Sequence, residues 1–165
     1  MQNALLTNGD LTEKRKKKSM DEVVERAKVL LGNMFVFYMK AHAYHWNYIG
    51  DNFPQYHSFF GDLYESVHDE IDVVAEHIRQ MDNFAPASLA RMIELSEIKE
   101  DAQIVKPEKM FKNLYDANET VLACLDECYR LSGEQKAWGW QNYVQDLITA
   151  HRKHRWMLKA TMGEK

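Results

Sequence analysis

Apolar residues recur every three or four positions through four long stretches of this chain, with polar residues between them. In the first stretch, from about Ser19 to Tyr48, they fall at Val23, Ala27, Leu30, Met34, Tyr38 and Ala41. The second starts near Pro54 and reaches Met81, with Phe60, Leu63, Val67, Ile71, Val74 and Ile78. Pro107 opens the third, whose stripe is Met110, Leu114, Ala117, Val121, Leu125 and Cys128 before it ends near Leu131–Gly133. The fourth spans about Glu134 to Met162 and carries Trp140, Val144, Leu147, His151 and Leu158. This spacing is the period of an amphipathic α-helix. Ser19 ahead of Asp21 and Glu22 is a helix-start signature for the first of them.

The connections narrow the arrangement. Residues 49–53 form a short link, and so does Leu131–Gly133, so each pair of helices is antiparallel. Between the second and third helices lie residues 82–106. A second helix running from Pro54 to Met81 is about 42 Å long, and the connection 82–106, fully extended, can reach about 80 Å. It can therefore return the chain along the full bundle. Within it, Pro86-Ala87-Ser88 leads into LARMIEL, a short amphipathic helix with Ser88 as its cap. The expectation is all-α: a four-helix bundle with a short extra helix in the long crossover between helices two and three.

Composition adds a boundary. The chain has 165 residues and a net charge of −4. Residues 1–19 hold Lys14, Arg15, Lys16, Lys17 and Lys18 against Asp10 and Glu13, a net +3, so the remainder carries −7. Residues 1–18 read as a flexible basic tail and residues 19–165 as one domain. Such a tail on an acidic body is suited to meeting a polyanion. Cys124 and Cys128, one turn apart, fit small buried hydrophobes in a reducing compartment better than a disulfide. No apolar run has the length of a membrane span and no apolar signal core follows the N-terminal charges, so the expected location is the cytoplasm.

The candidate chemistry lies in His45, His57, Asp72 and Glu76. Imidazole nitrogen with carboxylate oxygen suits iron or zinc. His45 lies four residues beyond Ala41 on the apolar stripe of the first helix, as a packed core histidine also would. On the second helix His57, Gly61, Glu65, His68, Asp72 and Glu76 follow steps of three and four, forming one polar row. That row is either solvated surface or a subunit contact. An internal di-iron bundle needs two Glu-x-x-His motifs. Glu65-Ser66-Val67-His68 supplies one, whereas Ile148 and His151 stand three residues before His151 and His154, so the second is missing.

His45-Trp46-Asn47-Tyr48-Ile49-Gly50-Asp51-Asn52-Phe53, then His57, then Asp72-Val73-Val74-Ala75-Glu76, closely resembles the Dps family of mini-ferritins. The likeness continues through Ser88-Leu89-Ala90, Leu95-Ser96-Glu97-Ile98 and His154-Arg155-Trp156. It implies a ferritin-like bundle assembled as a dodecamer, with iron sites shared across two-fold interfaces. One subunit would supply His45 and His57 and its neighbour Asp72 and Glu76. Fe(II) and hydrogen peroxide would be the substrates and an Fe(III) mineral the stored product, with zinc as another ion the same site can take. Trp46 would pack near the site and intercept radicals. Members of the family usually carry a carboxylate four residues after the second histidine, where this chain has Gly61. Either Glu65 or His68 substitutes for it, or the position is open and water-filled and the site weakened. The resemblance also implies that Lys14, Arg15, Lys16, Lys17 and Lys18 contact DNA without sequence preference, placing the shell on the nucleoid. Two further readings stand beside the ferroxidase: a nonenzymatic DNA-compacting shell with a degenerate iron site, and a ferritin-like oxidase with an internal site.

Overall fold

The computed structural model describes the backbone of residues 8–165 and the side chains of residues 20–165. Among these residues there are five helices and no strands: α1 (Asn8–Asn47), α2 (Phe53–Gln80), α3 (Leu89–Leu95), α4 (Pro107–Glu134) and α5 (Trp138–Thr161). The expected tail splits: residues 1–7 lie outside the described residues, and from Asn8 the backbone is already α1. Leucine, glutamate, lysine and arginine dominate 11–18 and are strong helix formers. The side chains of Lys14, Arg15, Lys16, Lys17 and Lys18 lie outside those described.

Local chemistry sets the other boundaries. Pro54 and Pro107 stand in the first turns of α2 and α4, where no intrahelical N–H is needed. Ser88 caps α3 as expected, its Oγ accepting from the Arg91 amide at 3.2 Å. α4 runs through Gly133, and Lys136 at φ +58° turns the chain. α5 therefore opens at Trp138 rather than Glu134. Between α1 and α2, Gly50 holds φ +153°, and a Cβ there would meet the Tyr48 hydroxyl at 2.8 Å. Only glycine makes this turn, which folds the end of α1 against the start of α2.

All four long helices turn the expected stripes inward. Leu30, Met34 and Phe37 of α1 meet Phe60, Val67 and Ile78 of α2, Met110, Leu114 and Leu125 of α4, and Val144 and Leu158 of α5. Cys124 and Cys128 are buried free thiols, and hydrogen bonding to Cys124 together with burial pushes the Cys128 thiol well up. His151 is fully buried, with Nδ1 2.6 Å from Asn118 Oδ1. The Asn118 amide nitrogen donates to the His151 carbonyl at 2.9 Å, so its oxygen accepts from Nδ1–H. Burial, with His151 and Lys153 nearby, lowers His154 to about 3. His151 Nε2 lies 3.3 Å from Glu70 Oε2 of α2, and both histidines are buried between the helices.

The crossover is tied down by charge. Arg26 reaches Glu97 and Glu127, each at 2.7 Å, and Asn33 brackets the same segment by accepting from the Glu97 amide at 2.6 Å. Further along, Asp101 accepts from Lys40 at 2.8 Å and from the Tyr44 hydroxyl at 2.5 Å. These bonds hold the crossover against α1 and leave the opposite, α2 side of α1 free for the histidines.

Candidate metal centre

The tight α1–α2 turn stacks His45 on His57, with ring centroids 3.7 Å apart and planes 23° from parallel. Each ring is fixed by the other's backbone. His45 Nδ1 donates to the His57 carbonyl at 2.7 Å, and His57 Nδ1 donates to the His45 carbonyl at 2.9 Å. A carbonyl oxygen can only accept, so both δ-nitrogens carry the proton in the neutral rings. Both Nε2 lone pairs are then available to a metal, as backbone-anchored histidine ligands require. Phe53 stacks on the outer side of His57 at 5.1 Å.

The carboxylates are elsewhere. Asp72 and Glu76 are exposed on α2, and Asp72 lines a cleft with Leu31, His68, Ala75 and Met92. From His57 to Asp72 the helix rises about 22 Å, so one ion cannot touch both within a single chain. Among the described residues, no three histidine, cysteine, aspartate or glutamate side chains of one chain form a metal-holding group. A second copy must bring the two halves together if they are to share an ion.

Neither expected substitute for the missing carboxylate engages the imidazole pair. Glu65 accepts from the Tyr64 hydroxyl at 3.3 Å. His68 lies 3.7 Å from Asp69 and 5.5 Å from the Tyr38 ring. Gly61 itself faces His45: a Cβ built on it would stand 3.3 Å from Nδ1 and 3.4 Å from Cε1.

An aromatic wall flanks the histidines. His42 lies flat on Tyr64 at 3.9 Å and 17°, has Trp46 at 4.1 Å, and shares a 3.1 Å hydrogen bond with the Tyr38 hydroxyl. Burial, helped by His45 and His68, lowers its pKa. Trp46, exposed at the rim, thus sits beside the site. Tyr64 meets His45 edge-on at 5.3 Å. The sequence places Tyr38 only on the apolar stripe of the first helix and does not mark Tyr64, although Tyr64 stands three residues after Gly61. His77, next to Glu76, stacks on Tyr143 at 4.9 Å, and burial lowers its pKa against the pull of Glu76.

A family profile described as a ferritin-like domain matches residues 14–164. The "DNA protection during starvation protein" of Listeria monocytogenes is 30% identical over 138 residues, covering 81% of this chain and 87% of that protein. The chain belongs to the Dps branch of the ferritin-like family. General stress protein 20U of Bacillus subtilis is 28% identical over 146 residues, covering 87% of this Dps chain and 99% of that protein. Among solved structures, the Dps protein of Vibrio cholerae superposes with a TM-score of 0.84 at 27% identity. That match covers 88% of this chain and 91% of the other, which is described as a member of the ferritin-like diiron-carboxylate proteins. The family is an iron-binding, stress-response one. Nothing in these relationships favours zinc. No helix among the described residues is long and apolar enough to cross a membrane.

Proposed function

We propose that this Dps-family chain oxidises Fe(II), with hydrogen peroxide as preferred oxidant, and stores the Fe(III) as mineral within a dodecameric cytoplasmic shell. Each centre is made by His45 and His57 of one subunit and by Asp72 and Glu76 of its neighbour. The observation that carries this reading is the crossed imidazole pair with two free Nε2 atoms, while Asp72, which would help complete the site, lies about 22 Å along α2 from His57. The imidazoles hold the softer Fe(II) substrate, and the hard anionic carboxylates favour Fe(III) as it forms. Two Fe(II) supply the two electrons that take hydrogen peroxide to two hydroxides, so no hydroxyl radical is released. Trp46, at the rim beside His42, stands where a radical escaping the site would meet it.

The test is the anaerobic rate of Fe(II) oxidation by added peroxide, followed by absorbance, protein against buffer. Oxidation well above buffer with soluble product is expected. A rate equal to buffer would sink the reading and favour the nonenzymatic DNA-compacting shell.

DNA binding is the second activity proposed, through Lys14, Arg15, Lys16, Lys17 and Lys18. Residues 1–18 supply the positive charge while the rest of the chain is net negative. Repeated over twelve subunits, these bases would make many weak, salt-sensitive phosphate contacts. Deleting residues 1–18 is expected to abolish the gel shift of duplex DNA at low salt, and a retained shift would place the contacts elsewhere.

A further inference from the structure

We infer that Gly61 is a positioning residue for His45: its missing side chain is the space in which the imidazole is held with Nε2 free toward Fe(II). The inference rests on the proposed site and adds a residue that donates nothing to the ion. Gly61 is buried on α2, one turn beyond His57. The nearest atoms to a Cβ there are His45 Nδ1 at 3.3 Å and Cε1 at 3.4 Å. Nδ1 is also the atom that donates to the His57 carbonyl at 2.7 Å. A methyl group would press on the donor nitrogen of the bond that fixes the ring.

The ring has little room to yield. His57 is stacked on it at 3.7 Å between ring centroids, and Tyr64 meets it edge-on with centroids 5.3 Å apart. A displaced His45 would disturb His57 too, because each ring is anchored on the other's backbone. Glycine at 61 therefore couples two features of this chain: the carboxylate usual in the family is absent, and the crossed imidazole pair is tightly seated. Relative to the family pattern the site lacks one anionic ligand, and the two imidazoles it keeps are each held by a backbone carbonyl.

The experiment uses the assembled full-length protein with cobalt(II) as a probe, in the absence of oxidant. Gly61→Ala is expected to weaken cobalt binding about 10- to 100-fold, the range for losing support around a ligand, and to change its visible spectrum. His57→Ala serves as the reference for the site itself. If His57→Ala abolishes binding while Gly61→Ala binds with wild-type affinity and spectrum, the positioning role is wrong and the site stands. If neither variant alters binding, the site assignment fails as well. Solid-state NMR of wild-type shells labelled with ¹⁵N-histidine tests the His45 anchor on which the inference depends, even if Gly61→Ala does not fold. A His45 ring protonated on Nδ1 is expected, and one protonated on Nε2 instead would overturn the inference.

Discussion

Replacing Asp72 with alanine is expected to slow peroxide-driven Fe(II) oxidation by about 100-fold or more, while the shell still assembles. Loss of mere supporting groups around metal ligands already costs 10- to 100-fold, and Asp72 is proposed as a ligand. Its carboxylate is exposed in one chain and neither caps a helix nor fills the core, so its removal costs little folding energy. In the proposed site it faces the His45–His57 pair of the neighbouring subunit, where its negative charge offsets the charge that iron gains on oxidation. Stopped-flow absorbance on size-verified shells measures the effect. Wild-type rates in Asp72→Ala would remove this residue from the site.

Asp101→Ala is expected to act on stability instead. Asp101 is three-quarters shielded and accepts from Lys40, whose side chain is 7% exposed, and from the Tyr44 hydroxyl. Alanine leaves a buried ammonium without its counter-charge and a phenol without its acceptor. Removing one partner of a buried pair costs about 3–5 kcal/mol, and the partial exposure of Asp101 brings this nearer about 2–3 kcal/mol. For a chain of this size that lowers the thermal midpoint by about 5–10 °C. Glu134→Ala, which breaks the exposed pair with Arg130, is the control and should shift it by less than about 2 °C. Equal midpoints for the two variants would show that Asp101 does not pin the crossover.

The helical stripes were legible because a period of three to four residues needs only local sequence, and Val23, Phe60, Leu114 and Val144 all face the core. The cap at Ser88 was legible for the same reason. Helix ends governed by backbone turns were less so: Gly133 looked like a terminator, but α4 passes through it and the turn falls at Lys136. Pairs formed across long separations, such as Arg26 with Glu97 and Lys40 with Asp101, leave no local pattern. At the candidate site, spacing and the family motif picked out His45 and His57. The reciprocal bonds between each ring and the other's carbonyl became visible only once the α1–α2 turn was in place. The same holds for Gly61, which in sequence reads as a lost carboxylate and in structure as the floor beneath an imidazole.

The most direct test of a centre shared between subunits is co-assembly of two inactive variants, His57→Ala and Asp72→Ala, from equal amounts of dissociated subunits. Each alone lacks one half of every site. In a two-fold interface each subunit gives its histidines to one site and its carboxylates to the other, so random mixing rebuilds about a quarter of all sites. Recovery of about a quarter of the wild-type rate of Fe(II) oxidation by peroxide is the predicted result. Mixed shells as inactive as either parent would contradict a centre built from His57 of one subunit and Asp72 of the next.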